Sequence, residues 1–372
     1  MTETSMTGRI EAVETPEEVF VPVAMLDHVV QRGQAVSAGQ ILARAAAPWL
    51  ADAHSPIDGV VVDSGRYVVR ISSKGQAKIE APELPGRPEP SGPRERLGRL
   101  GKAILAPETT ELLVVNAYEP EPGVSVASAM LRDMQATLEA GLKSAVEALS
   151  PGRIVLAGPS TLAGSLPGCE PVLAGAAYPA TLGPMVVKTL TGKENPAGVA
   201  VLSITDLAEL GRIAESGRAL TDLVVECEGR LYRVPVGAPV GMVLDKAGIA
   251  VSSGDRVILG GGLRGEAVKS LAFGIPKGTY AVTVIRKGAY PPVEDSDCVG
   301  CGECIRRCPA RIDPCMISRY SEFGHHDKAE LEYVDACFEC GVCGYHCISR
   351  RPLLQYIRLS KRKLELARRE AV

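Results

Sequence analysis

A chain of 372 residues has room for roughly two to four domains, and its 46 % hydrophobic and 23 % charged composition is ordinary for a protein with packed cores. A formal net charge of −3 argues against a nucleic-acid binder, and no apolar run reaches the length of a membrane span. The polar, acidic residues 1–14 do not read as a signal peptide, and eleven cysteines, an odd count, suit a reducing cytoplasm better than a disulfide framework.

Residues 19–78 read as short strands separated by glycine turns, with apolar residues set around Gly33 and Gly39 and a Ser55-Pro56-Ile57-Asp58-Gly59-Val60 segment after them. That rhythm predicts a small β-sandwich or barrel. It resembles the hammerhead of lipoyl- and biotinyl-type carriers, but residues 43–53 contain no lysine to carry a swinging arm, so the expected role is structural or docking. Five prolines between 82 and 93 then mark a stiff linker.

Beyond the linker, Leu112-Leu113-Val114-Val115-Asn116 predicts a buried strand and residues 126–149 an amphipathic helix, with Leu131, Met134, Leu138, Leu142, Ala145 and Leu149 on one side. Pro151-Gly152 ends that helix, and residues 153–158 read as the next strand of an α/β unit. A further module over 199–287 combines a helix at 203–216 with strands at 223–227, 231–234, 256–259 and 280–285, a β-grasp-like pattern turning at Gly260-Gly261-Gly262.

Eight of the eleven cysteines fall in two matching runs, Cys298-x-x-Cys301-x-x-Cys304-x-x-x-Cys308-Pro309 and Cys337-x-x-Cys340-x-x-Cys343-x-x-x-Cys347. This is the spacing of two-cluster ferredoxins, in which each tight loop supplies three thiolates to one cluster and the fourth cysteine crosses to the other. The expected ligands are Cys298, Cys301, Cys304 and Cys347 for one [4Fe–4S] cluster and Cys337, Cys340, Cys343 and Cys308 for the second. The alternative is a pair of zinc sites, which take two ligands from each knuckle rather than three and a crossed fourth.

The order of parts resembles the C subunit of the Rnf electron-transport complex. So do Cys337-Phe338-Glu339-Cys340-Gly341-Val342-Cys343-Gly344-Tyr345-His346-Cys347, Pro352-Leu353-Leu354-Gln355-Tyr356, Tyr178-Pro179, Gly192-Lys193-Glu194-Asn195-Pro196 and the turn from Gly260 to Gly265. The resemblance runs from about residue 19 to 364. It implies an α+β multidomain chain: a hammerhead-like sandwich over 1–81, the linker over 82–96, a Rossmann-like α/β unit over 97–197, an SLBB-like β-grasp unit over 198–288 and a dicluster ferredoxin domain over 289–372. It also implies electron transfer on the cytoplasmic face of a membrane, with the other subunits of a redox complex and a ferredoxin as partners.

In that family the α/β unit binds FMN and NADH. Asn116-Ala117-Tyr118-Glu119-Pro120-Glu121-Pro122 resembles its acidic loop, which implies flavin contacts for Asn116 and Glu119 and a nucleotide contact for Glu121. The family's glycine-rich phosphate loop is degenerate here. Lys102 and Ile104 stand where glycines let amides approach phosphate, no lysine follows before Asn116, and Glu108 and Glu111 add negative charge. Loss of both FMN and NADH is therefore expected. The competing readings are a soluble flavin-dependent reductase resembling the cobalamin reductase of propanediol utilisation, and a flavin-less electron-conduit scaffold.

The remaining candidates read blandly. Cys169, Cys227 and Cys315 are expected to pack as free thiols, His325-His326 to lie on a solvated turn and His346 at the surface. Ile348 replaces the proline that follows the fourth cysteine of the first run. Eight basic residues between 350 and 369 suggest either a solvated helix or a positive docking surface.

Overall fold

The computed structural model describes residues 10–47, 49–76, 79, 86–162, 165–174, 177–294 and 296–370, with side chains of the last helix described to residue 368. Short strands dominate the first part: β1 (Glu11–Ala12), β2 (Glu18–Pro22), β3 (Leu26–His28), β4 (Ala35–Val36), β5 (Ile41–Ala45), β6 (Ala53–His54), β7 (Gly59–Ser64) and β8 (Val68–Ser72). Strands β2, β8, β7 and β4 form one antiparallel sheet and β3, β5 and β6 another. Alternate residues Val19 and Val21 point inward onto Leu42, Val61, Val69 and Ile71. Gly33 and Gly39 hold left-handed backbone at φ +89° and +84°, the turns their spacing implied.

The linker's Pro82 and Pro85 lie outside the described residues; its end is a helix, α1 (Pro93–Arg99), with Pro93 at the first helical position. The α/β unit follows with β9 (Leu112–Asn116), α2 (Val126–Asp133), α3 (Gln135–Leu149), β10 (Arg153–Ala157), β11 (Glu170–Val172), α4 (Gly183–Thr191), β12 (Val199–Ser203) and α5 (Ile204–Ser216). The strands form a parallel sheet in the order β11-β10-β9-β12. Both its faces are covered, so β9 reads as an unbroken apolar run: Leu113 and Val115 join the core with α3 and α5, and Val114 packs toward Val186 and Val187 of α4. The expected single helix over 126–149 is interrupted at Met134, whose φ of −128° and ψ of 25° separate α2 from α3. A boundary at 197/198 falls inside this sheet, because β12 pairs with β9 along its whole length.

The next module contains β13 (Asp222–Cys227), β14 (Arg230–Pro235), α6 (Val240–Ala247), β15 (Arg256–Leu259), β16 (Glu266–Ala267) and β17 (Val282–Ile285). Strands β13 and β14 form a hairpin, and β1 from the far N-terminus adds beside β14 in parallel. Strands β16, β15 and β17 form a second antiparallel sheet.

The C-terminal part is helical: α7 (Glu303–Arg306), α8 (Pro314–Glu322), α9 (His326–Leu331), α10 (Val342–Tyr345) and α11 (Leu353–Glu370). Its small core of Ile312, Ile317, Ala329, Val334, Leu353, Ile357 and Leu364 includes Cys304 and Cys343, with Cys308, Cys337 and Cys347 packed against it. Among the described residues no helix is long and apolar enough to cross a membrane.

Candidate functional site

The two cysteine runs fold alike. Each tight loop ends in a one-turn helix, α7 or α10, preceded by a glycine in left-handed conformation, Gly302 at φ +72° and Gly341 at φ +74°. In each loop one amide points back at the first sulfur: Gly300 N–H donates to Cys298 Sγ and Glu339 N–H to Cys337 Sγ, both at 3.4 Å. Such donors stabilise charge on a thiolate. Cys298, Cys301, Cys304 and Cys347 line one cavity of about 130 Å³. Cys308 lies within electrostatic reach of Cys340 and Cys343, and Cys343 of Cys337. Cys347 thus lines the first run's cavity, and Cys308 lies within electrostatic reach of the second run. Among the described residues no group of three or more His, Cys, Asp or Glu side chains converges to hold a single metal ion.

The packing thiols divide. Cys227 is buried, and burial pushes its thiol up to about 12. Cys315 shares the first cavity, with its sulfur 3.6 Å from Cys298 Sγ. His325 is exposed as expected, while His326 Nδ1 lies 3.0 Å from Ser360 Oγ.

Strands β9 and β12 lie side by side in the parallel sheet, and their C-terminal ends open into a crevice, the place where such sheets bind ligands. The cavity there is about 200 Å³ and is lined by Asn116, Tyr118, Ser203, Asp206, Arg264 and Phe338, among others. Phe338 comes from the second cysteine loop, so the crevice and that loop share a wall. The three residues singled out from the sequence are brought to this end of the sheet, but each is engaged within the protein. Asn116 Nδ2 donates to Thr181 O at 3.0 Å. Glu119 accepts from the N–H groups of Ala127 and Ser128 at 2.8 and 2.9 Å, capping α2 where Ser125 supplies no side-chain bond. Glu121 is buried and accepts from the amides of Gly261, Leu263 and Arg264 at 2.7–2.9 Å and from the Tyr280 hydroxyl. Burial and the Glu121 carboxylate push the Tyr280 phenol far up.

The degenerate loop is remodelled rather than strained. Ile104 is buried in the core, and positive φ in residues 100–108 is confined to Gly101. Lys102 turns back to bridge Asp206 and Glu209 of α5, each at 2.5 Å. Burial alone would lower the Lys102 ammonium, but the two carboxylates raise it well above its ordinary range. Burial would likewise raise Asp206, yet Lys102 and the Ser203 cap hold its carboxyl low.

Residues 1–80 match the family model of the RnfC barrel sandwich hybrid domain. The C subunit of an ion-translocating oxidoreductase complex from Rhodobacter capsulatus is 24 % identical over 413 residues, covering 95 % of this chain and 79 % of that one. The protein of the same name from Salmonella gallinarum is 28 % identical over 284 residues, covering 69 % of this chain and 42 % of its own length. The chain is thus similar to RnfC-type subunits, and its first 80 residues match that family's N-terminal domain. A NAD+-reducing [NiFe]-hydrogenase structure aligns with a TM-score of 0.42 at 15 % identity, covering 70 % of this chain and 60 % of that one.

The basic C-terminal helix is largely compensated from within. Arg358 and Lys361 pair with Glu339 at 2.7 and 3.2 Å, and Arg368 pairs with Glu330 and Asp335 at 2.5 and 2.6 Å. Just before the helix, Arg350 pairs with Glu294 and Arg351 with Glu322. Most of the charge therefore serves internal docking rather than a free positive face. Two residues that join the two sites were not among the candidate site residues. Arg264 donates to Glu339 O at 3.3 Å and to Pro120 O at 3.4 Å, and Tyr178 OH donates to Cys340 O. Their only sequence cue was position: Arg264 lies in the turn from Gly260 to Gly265 and Tyr178 precedes Pro179, both in segments that carry the resemblance.

Proposed function

We propose that the chain is an electron-transfer iron–sulfur subunit of an ion-translocating oxidoreductase complex. It works at the cytoplasmic face of a membrane and holds two [4Fe–4S] clusters in series. Cys298, Cys301, Cys304 and Cys347 hold one, and Cys337, Cys340, Cys343 and Cys308 hold the other. The observation that best supports this reading is Cys347 lining the first run's cavity, with Cys308 within electrostatic reach of Cys340 and Cys343. Preset amides of Gly300 and Glu339 aimed at sulfur support it. When bound, the clusters supply one-electron chemistry, and the chain sets their spacing, hydrogen bonding and shielding. The names of the relatives point to the other subunits of such a complex as partners. A ferredoxin is the further partner in this reading.

The residues present do not fit FMN or NADH. The crevice, at about 200 Å³, falls short of the roughly 300–1,000 Å³ of small-molecule sites. Glu119 and Glu121 already satisfy protein amides, and Lys102 is committed to two carboxylates rather than free for phosphate. Electrons therefore enter and leave through protein partners.

Anaerobically purified protein should contain about eight iron and eight sulfide per chain, as two cubanes require, and no stoichiometric flavin. Dithionite should bleach the clusters and NADH should not. Stoichiometric zinc with little sulfide would refute the cluster reading. Near-stoichiometric FMN with rapid NADH reduction would instead restore a flavin-dependent reductase.

A further inference from the structure

Resting on that cluster reading, we infer that Cys315 is a second thiol for the corner of the first cluster assigned to Cys298, and takes over as iron ligand when Cys298 is lost. The two cysteine runs are not equal in sulfur. The cavity lined by Cys298, Cys301, Cys304 and Cys347 is also lined by Cys315, so five thiols face the site of one four-ligand cluster. Beyond the eight cysteines of the runs the chain has Cys169, Cys227 and Cys315, and the first two belong with the main core of the preceding modules. Among the described residues the second cluster's four ligands have no such companion. Cys315 Sγ lies 3.6 Å from Cys298 Sγ, in van der Waals contact and beyond the roughly 2 Å of a disulfide. Ligand sulfurs of a cubane sit one to each iron at separate corners, so two sulfurs in contact address the same corner.

The two thiols differ in how they are held. Cys298 lies among residues 296–302, which form neither helix nor strand, and of the eight assigned ligands it alone is exposed. An exposed ligand is the one that water and competing ligands reach first. Cys315 is half-buried on the first turn of α8. Asp313 caps that helix by accepting from the Met316 N–H at 3.0 Å, and the Ser318 hydroxyl donates to Cys315 O at 2.8 Å. A thiol fixed on a helix therefore touches the one exposed ligand. A thiol that only packs turns to carbon, as Cys227 does in the main core. The exchange needs no oxidant or reductant. The Cys315 thiol releases a proton as its sulfur binds iron, and the Cys298 thiolate takes one up as it leaves.

The test compares anaerobically purified full-length variants by iron and sulfide content and by paramagnetic resonance after dithionite reduction. Cys298→Ala should keep about eight iron and both cluster signals, whereas the double variant Cys298→Ala/Cys315→Ala should fall to about four iron and keep only the second cluster. Cys315→Ala alone should match the wild type. Cys301→Ala should lose the first cluster, because Cys315 stands at the corner of Cys298 and not at that of Cys301. Equal loss of the first cluster from Cys298→Ala with and without Cys315 overturns the inference and leaves the cluster reading intact. Loss of the first cluster from Cys315→Ala alone would mark a structural thiol and likewise overturn it, as would a first cluster retained in Cys301→Ala. If Cys298→Ala fails to fold, Cys298→Ser decides: its first-cluster signal should match the wild type only while Cys315 is present. A wild type without iron and sulfide would instead defeat the reading on which the inference rests.

Discussion

Glu339 stands in left-handed backbone at φ +58°, where the matching position of the first loop has Gly300. A non-glycine residue pays about 1–2 kcal/mol for that conformation, and here it is held by ion pairs to Arg358 and Lys361 and by Arg264 on its carbonyl. Both Glu339→Gly and Glu339→Ala lose the ion pairs, but only alanine keeps the strain. The alanine variant should therefore be less stable by about 1 kcal/mol in chemical denaturation; equal midpoints would mean the backbone relaxes. His54 gives a pH-dependent counterpart. Burial first, then Lys277, pushes its imidazole down to about 4 from 6.5, and its Nδ1 has no hydrogen-bond partner among the described residues. Between those values the unfolded chain binds the proton and the folded chain does not, so stability rises with pH. Wild type should lose roughly 3 kcal/mol more than His54→Gln as pH falls from 7 to 4, and parallel stability curves would contradict this. At this scale the matching fold of the two cysteine loops was legible because their spacing is local. The roles of Asn116, Glu119 and Glu121 were not. Their partners, Thr181, the α2 amides and the turn at Gly261, are set by folding and leave no mark on the local sequence.

Among the elements, α3 and α5 cross at two glycines. A β-carbon on Gly141 would strike the Leu207 carbonyl, and one on Gly211 the Thr137 carbonyl. Helices meeting backbone to backbone bring Ser203 and Asp206, at the start of α5, beside the crevice. Gly141→Ala and Gly211→Ala should each destabilise by about 1–3 kcal/mol through overpacking, whereas Gly86→Ala, with open space around it and outside any helix, should change stability by less than about 0.5 kcal/mol in the same urea series. Strand β9 and helices α3 and α5 were readable from periodicity, because apolar runs and stripes report burial directly. The break at Met134 was not, since that residue is itself apolar and buried and keeps the helical stripe unbroken. The α/β sheet also ran beyond the expected boundary. β12 looked like the start of the next module because sequence order does not reveal which strand it pairs with, and here it pairs with β9, more than eighty residues earlier.

Across the whole molecule, modules are stitched by contacts distant in sequence. Strand β1 pairs with β14, Lys277 donates to the carbonyls of Asp52 and Gly101 at 3.0 Å, and Arg264 ties the crevice to the second cysteine loop. The succession of parts was legible, but these seams were not, because a backbone carbonyl acceptor leaves no mark on composition. They explain why the second cysteine loop lies against the crevice and the first faces water. In the proposed function, two clusters are held by crossed fourth ligands. The most direct test is redox-titrated paramagnetic resonance of anaerobically purified Cys308→Ala and Cys347→Ala, with the wild type giving two coupled [4Fe–4S] signals. Loss of Cys308 should alter the cluster of Cys337, Cys340 and Cys343 and spare that of its own run, and loss of Cys347 should do the reverse. If each substitution instead damages only the cluster of its own run, or the wild type shows no iron–sulfur signal, crossed ligation is refuted.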